Sequence, residues 1–212
     1  MKNKKALDFF CDMSLHSDKG AQSVKLAGAN DFTQYDTTFI MKYACKNTDL
    51  LDLGSGTGLI INKIFDKVDK ITVVEPFVGF TKYIVKSENI NIYNQTILEY
   101  NPDRQFDLIT IFGVMHYFNE QETTAIYKKY YPFLKTGGKL IIKNQFGVKE
   151  DVIVDGYSEE QKKNYFAHYR HICKEEKILE MIGYKNIKVI DIYPPECNRW
   201  KNTHFYAIVA EK

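Results

Sequence analysis

A chain of 212 residues, 44% hydrophobic and 26% charged, has the balance of a globular fold and the length for one sizeable core. Twenty-nine lysines and arginines against 27 acids leave a formal net charge of +2, which argues against the concentrated basic field that a nucleic-acid partner demands. The longest apolar runs fall far short of the roughly 18 residues of a membrane span, so no membrane partner is expected.

The chain opens MKNKKALDFFCDMSL, a helix with a basic start whose short apolar run is broken by Asp8 and Asp12, unlike a secretory leader. Cys11, Cys45, Cys173 and Cys197 have no CxxC pairing, so free thiols in the cytoplasm are expected and no zinc site. A loop with Lys19 and Gly20 leads to a second helix around TQYDTTFIMKYAC. From Leu50 onward, apolar strands alternate with helices. DLLDL is a strand, followed by a glycine turn and the helix LIINKIFDKV; KITVVE is a second strand, followed by the helix FVGFTKYIVKS. NINIYN and FDLITIFG are the third and fourth strands, NEQETTAIYKKYYPFL a long helix ending irregularly at Pro132, and GGKLIIKN the fifth strand. This alternation predicts a parallel sheet covered on both faces. KEEKILEMIGY is a helix stopped by Gly183, and KNIKVIDIY and THFYAIVAE form an antiparallel terminal pair. One domain over 1–212 is expected, with cap helices over 1–47 and an aromatic-rich, substrate-side insert over 146–173.

LLDLGSGTG decides between ligands. Its glycines stand at Gly54, Gly56 and Gly58, and Leu59 occupies the place where a dinucleotide fingerprint needs its third glycine. Asp52 precedes the turn, Glu75 ends the second strand, NQTILEY follows the third, and FLKTGGKLII leads into the fifth. Together these stations resemble the class I S-adenosylmethionine-dependent methyltransferases over nearly the whole chain. The resemblance implies a Rossmann-like sheet of seven mostly parallel strands with an antiparallel C-terminal strand, S-adenosylmethionine as methyl donor and S-adenosylhomocysteine (SAH) as product. Bare backbone at the glycines lets a ligand approach closely. The cofactor residues implied are Asp52, Gly54, Ser55, Gly56 and Gly58 at the turn, and Glu75 for the ribose hydroxyls. Pro76, Gln95, Thr96 and Ile97 are implied around the adenine, and Phe112 and Gly113 beside the methionine part. Thr96 stands where many members carry an acid toward the adenine amino group.

His116, in GVMHYF after the fourth strand, is the candidate base: an imidazole titrates near neutrality and sits at the carboxyl edge where open α/β sheets bind ligands. In the alternative it only packs the pocket wall. NYFAHYRHIC, if helical, presents Tyr165 with Tyr169 and Phe166 with Arg170. Arg170 suits an anionic acceptor group, the alternative being a pair with a surface acid. Tyr35, Tyr169, Arg170 and Arg199 are the candidate substrate contacts. The family's metal-binding acids after strand four are absent, so no metal is expected, and so are the DPPY-like, Pro-Cys and paired-glutamate motifs of its DNA and arginine methyltransferases. A small polar metabolite methylated on oxygen or nitrogen is the expected acceptor, with phosphorylated amino alcohols and surface-polysaccharide precursors as candidate classes. An RNA or protein methyltransferase and a non-catalytic cofactor-binding module are the alternatives.

Overall fold

The structure, a computed structural model, describes residues 3–16, 32–158, 163–198 and 200–212. Its strands are β1 (Asp49–Leu53), β2 (Lys70–Val74), β3 (Ile90–Tyr93), β4 (Phe106–Phe112), β5 (Leu134–Gly147), β6 (Val152–Ser158), β7 (Lys163–Tyr169), β8 (Lys185–Ile190) and β9 (Thr203–Glu211). The helices are α1 (Asn3–His16), α2 (Thr33–Ile40), α3 (Ile61–Ile64), α4 (Val78–Thr81), α5 (Glu120–Tyr130) and α6 (Ile172–Ile182). Seven strands form one sheet in the order β3-β2-β1-β4-β5-β9-β8, in which β9 runs antiparallel to both neighbours and the others run parallel. This is the Rossmann-like arrangement expected from the sequence.

Period-two alternation divides the sheet's side chains between two cores. Leu51, Leu53, Ile109, Ile111, Leu140 and Ile142 pack under α5 and α6. Leu50, Leu108 and Ile141 face the opposite way, under Phe39 and Ile40 of α2 and Ile61 and Ile64 of α3. The helix over 119–134 starts on a capping box between Asn119 and Glu122 and gives way at Tyr131–Phe133 to a 3-10 turn containing Pro132. Gly183 ends α6 in the left-handed conformation at φ 111°.

Two expected helices are cut to one turn each. α3 and α4 hold four residues apiece, and between them the Asn62 amide donates to the Tyr83 carbonyl while accepting from Val85 N, at 2.9 and 2.8 Å. α4 also receives α1: a Cβ on Gly79 would lie 2.2 Å from the Ser14 carbonyl oxygen, so α1 rests on bare backbone there.

The insert departs furthest from expectation. NYFAHY is strand rather than helix: β7 pairs antiparallel with β6 from Val152↔Tyr169 to Ser158↔Lys163. Three aromatics and a histidine within six residues favour a pleated surface over a helix. Tyr165 and Tyr169 still share a face, because a separation of four is even, and they pack with Tyr117 and with Ala6, Phe9 and Phe10 of α1.

Arg170 follows β7 and is 2% exposed. Its Nε donates to Glu175 Oε2 at 2.7 Å, and its Nη1 and Nη2 donate to the carbonyls of Phe118 and Met115 at 2.7 and 3.2 Å. Glu175 also accepts from the Tyr127 hydroxyl of α5. The guanidinium is therefore engaged by an acid, as in the alternative reading, but by a buried one, and by the turn after β4. Removing one member of a buried charge pair leaves the other uncompensated. Arg170→Met is expected to lower unfolding free energy by about 3–5 kcal/mol in urea titration, and Arg170→Met/Glu175→Leu to recover part of that loss.

Candidate active site

β1 delivers the chain into the glycine turn at the carboxyl edge of the sheet. Gly54 N donates to the Val74 carbonyl at 2.8 Å, tying the turn to β2. Gly54 sits at φ +82°, and a Cβ there would lie 2.4 Å from Cγ2 of Val114. Gly56 differs: at φ +54° its missing Cβ would meet nothing within 4 Å. Both conformations favour glycine, and at Gly56 the open space belongs to a cavity of about 120 Å³.

Glu75 closes the other side of the turn. Its Oε2 accepts from Gly56 N at 3.0 Å and its Oε1 from Phe77 N at 3.2 Å. The residue is 6% exposed, and burial pushes its carboxyl up from the ordinary 4.5 to about 7, the two amides opposing that rise. Remaining lone pairs on a carboxylate so fixed suit a vicinal diol, and the apolar Pro76, Phe77, Phe80 and Ile97 on the cavity wall suit a purine. The residues present therefore fit an adenosine-containing cofactor.

The cavity brings together Gly54, Gly56, Glu75, Pro76, Thr96, Ile97, Phe112 and Gly113 of the expected set. Asp52, Ser55, Gly58 and Gln95 are not on its wall. Asp52 is buried and raised in pKa by that burial; its Oδ1 accepts from the Thr110 hydroxyl at 2.6 Å, so it braces β1 against β4. Ser55 Oγ donates to the Asp52 carbonyl at 3.2 Å, Gly58 packs against Ile84, and Gln95 is exposed. Thr96 donates through its amide and hydroxyl to Glu99 Oε2 at 3.1 and 2.8 Å. That pair of bonds holds the exposed Glu99 carboxyl below its ordinary value.

Sequence reasoning missed α1, whose Ala6, Leu7 and Phe10 line the cavity, along with Val114, Tyr117 and Phe118. ALDFF signalled an apolar stripe but not where it docks. It also missed Asn144. His116 Nδ1 lies 3.2 Å from Asn144 Oδ1 on β5, and its ring is 4.0 Å from that of Tyr117 and 5.5 Å from that of Tyr169. His116 is 7% exposed and is not on the cavity wall, although its neighbour Tyr117 is. Burial lowers its pKa to about 4, helped by the charges of Arg170 and Lys143 and opposed by the Asn144 bond. Tyr169 shares a hydroxyl contact of 3.2 Å with Tyr165. Tyr35 is 45% exposed, beside Phe32 and Tyr193 and away from the cavity. Arg199 lies outside the described residues. Among the described residues no group of three or more His, Cys, Asp or Glu side chains could hold a metal ion, and no helix is long and apolar enough to cross a membrane.

Sheet order, glycine turn and strand-end acid are consistent with a class I S-adenosylmethionine-dependent methyltransferase. Residues 50–138, from β1 to the start of β5, match the family model described as a methyltransferase domain. Comparison with curated proteins gives no match. Among solved structures, phosphoethanolamine N-methyltransferase 1 of Haemonchus contortus, with phosphoethanolamine and SAH, superposes at a TM-score of 0.75 and 16% identity, over 100% of this chain and 49% of its own. The DhpI–SAH complex gives 0.70 and 14%, over 99% and 96%. The 1,6-didemethyltoxoflavin-N1-methyltransferase of Burkholderia thailandensis gives 0.70 and 11%, over 100% and 86%.

A raised carboxyl pKa makes the folded state bind protons that the unfolded state has released, so this part of stability is full below pH 4.5 and is lost as pH rises to about 7. Glu75→Gln, which no longer titrates, is expected to flatten that slope in thermal melts of the ligand-free protein. The same variant should bind SAH at least about tenfold more weakly by calorimetry.

Proposed function

We propose that the protein methylates an oxygen or nitrogen of a small polar metabolite in the cytoplasm, with His116 receiving the proton the acceptor loses. Residues 1–212 act in this reading as one catalytic domain, capped by 1–47 and bordered on its acceptor side by 146–173. The observation that carries it is the bond from His116 to Asn144. With the amide oxygen as acceptor, the imidazole proton resides on Nδ1 and Nε2 keeps its lone pair.

When bound, S-adenosylmethionine supplies a methyl carbon already activated by its sulfonium. The acceptor then needs orientation and a place for one proton. An imidazole held near pKa 4 is neutral at pH 7, and it is too weak a base to strip an alkylammonium, whose ordinary value is about 10. It is adequate for a hydroxyl, whose proton becomes strongly acidic only as the new C–O bond forms. The chemistry of His116 thus favours an oxygen acceptor, and an amine would have to arrive uncharged. His116 packs against the rings of Tyr117 and Tyr169, next to the cluster that joins α1 to the β6–β7 hairpin. Relatives of similar fold whose names include phosphoethanolamine and 1,6-didemethyltoxoflavin support a small-molecule acceptor. The commitment of Arg170 to Glu175 removes one reason to expect a phosphate on it.

Transfer of labelled methyl from S-adenosylmethionine to a panel of sugar hydroxyls, amino alcohols and phosphoethanolamine tests this reading. His116→Ala is expected to lower kcat on an alcohol by about 10² or more while leaving SAH affinity unchanged. A loss below about threefold would make the imidazole a packing residue.

A further inference from the structure

Tyr117 closes the 3-10 turn Met115–Tyr117 that follows β4. Arg170 holds the Met115 and Phe118 carbonyls, which fixes the backbone between them. The Tyr117 ring lines the cavity, 5.0 Å from the ring of Phe10 and 4.0 Å from that of His116. The residue is 6% exposed, and its hydroxyl oxygen is buried with no hydrogen-bond partner among the described residues. Burial pushes the phenol well above its ordinary value of 10, so it keeps its proton at neutral pH. The Tyr165 hydroxyl opposes that rise without closing a hydrogen bond, and it is itself 3.2 Å from the Tyr169 hydroxyl.

A phenol withdrawn from water with its donor unmet carries a desolvation penalty, and phenylalanine fills nearly the same volume without it. The great majority of buried polar groups are paired, so an orphan on a cavity wall calls for a partner from outside the chain. What meets Tyr117 is rings and hydroxyls: Phe10, Tyr165, Tyr169 and an imidazole that is neutral at pH 7. Such surroundings suit a flat, uncharged body that carries a hydroxyl, and they offer nothing to a phosphate. We infer that the Tyr117 hydroxyl is a hydrogen-bond contact of the methyl acceptor, and that the acceptor is a phenol-like alcohol, a hydroxyl on an uncharged aromatic body. The inference rests on the reading of the protein as a small-molecule methyltransferase, and it chooses among the acceptor classes which that reading leaves open. One short turn then offers a donor to the acceptor's oxygen and, at the adjoining His116, the imidazole proposed for its proton.

The test titrates phenol and toluene, two probes that differ by the hydroxyl, into the SAH complexes of the unaltered protein and of Tyr117→Phe. Ligand-observed NMR should show the ratio of phenol to toluene affinity falling about fivefold or more in the variant. By calorimetry SAH itself should bind within about twofold. The thermal midpoint of ligand-free Tyr117→Phe should equal or exceed that of the unaltered protein, since no internal bond is lost. A lowered midpoint would mean that the hydroxyl is satisfied inside the chain, and a clear loss of SAH affinity would make it a cofactor contact. Either result, an unchanged ratio, or no binding of phenol to the unaltered SAH complex overturns the assignment and leaves the cavity as the cofactor site. Failure of the unaltered protein to bind SAH overturns the cofactor reading as well.

Discussion

Glu75 reaches from the end of β2 to the turn after β1, where the Gly56 amide donates to its carboxylate at 3.0 Å while Phe77 N holds the second oxygen. Two orphan backbone donors at a tight bend are thereby satisfied by a side chain that is itself kept from water. The bend needs glycine for its left-handed dihedrals, the acid needs the bend for its amides, and the cavity lies between them. A carboxyl held near pKa 7 is poised between charge states. A diol bound in the cavity would offer it the donors that water gave before folding, so the burial that costs the ligand-free protein stability would favour the loaded one.

Around this centre the fold separates two polar clusters. The face under α2 and α3 carries Lys143 and Asp36. The face under α5 and α6 carries His116, fixed from β5 by Asn144 and from behind by the carbonyl bonds of Arg170. Arg170 grips both ends of the turn that bears His116 and Tyr117, and Glu175 and Tyr127 tie it to α6 and α5. The β6–β7 hairpin is thus bolted to the core by the residue that follows it.

Much of this was legible in the sequence, because it was written in local patterns. Alternating apolar strands, three glycines and a strand-end acid report sheet, turn and ligand through neighbours in the chain. What could not be read depends on contacts between distant segments. That Asp52 braces β1 against β4 depends on Thr110, 58 positions away. Arg170 could pair with an acid or meet an anionic acceptor on sequence grounds, and two of its partners, the Phe118 and Met115 carbonyls, lie 52 and 55 positions away. Asn144 and Lys143 are adjacent in sequence and face opposite cores, and only the register of β4 against β5 says which meets the histidine and which the cavity's phenylalanine. NYFAHY misled because a four-residue spacing places the same pairs together in strand and helix.

The seat of α1 on Gly79 has a consequence of its own. The Ser14 carbonyl occupies the volume where any L side chain at 79 would begin. One hydrogen exchanged for a methyl would therefore act as a wedge, prising a helix that contributes Ala6, Leu7 and Phe10 to the cavity away from the body of the enzyme. Tightness of the enclosure depends on a place with no charge and no side chain at all.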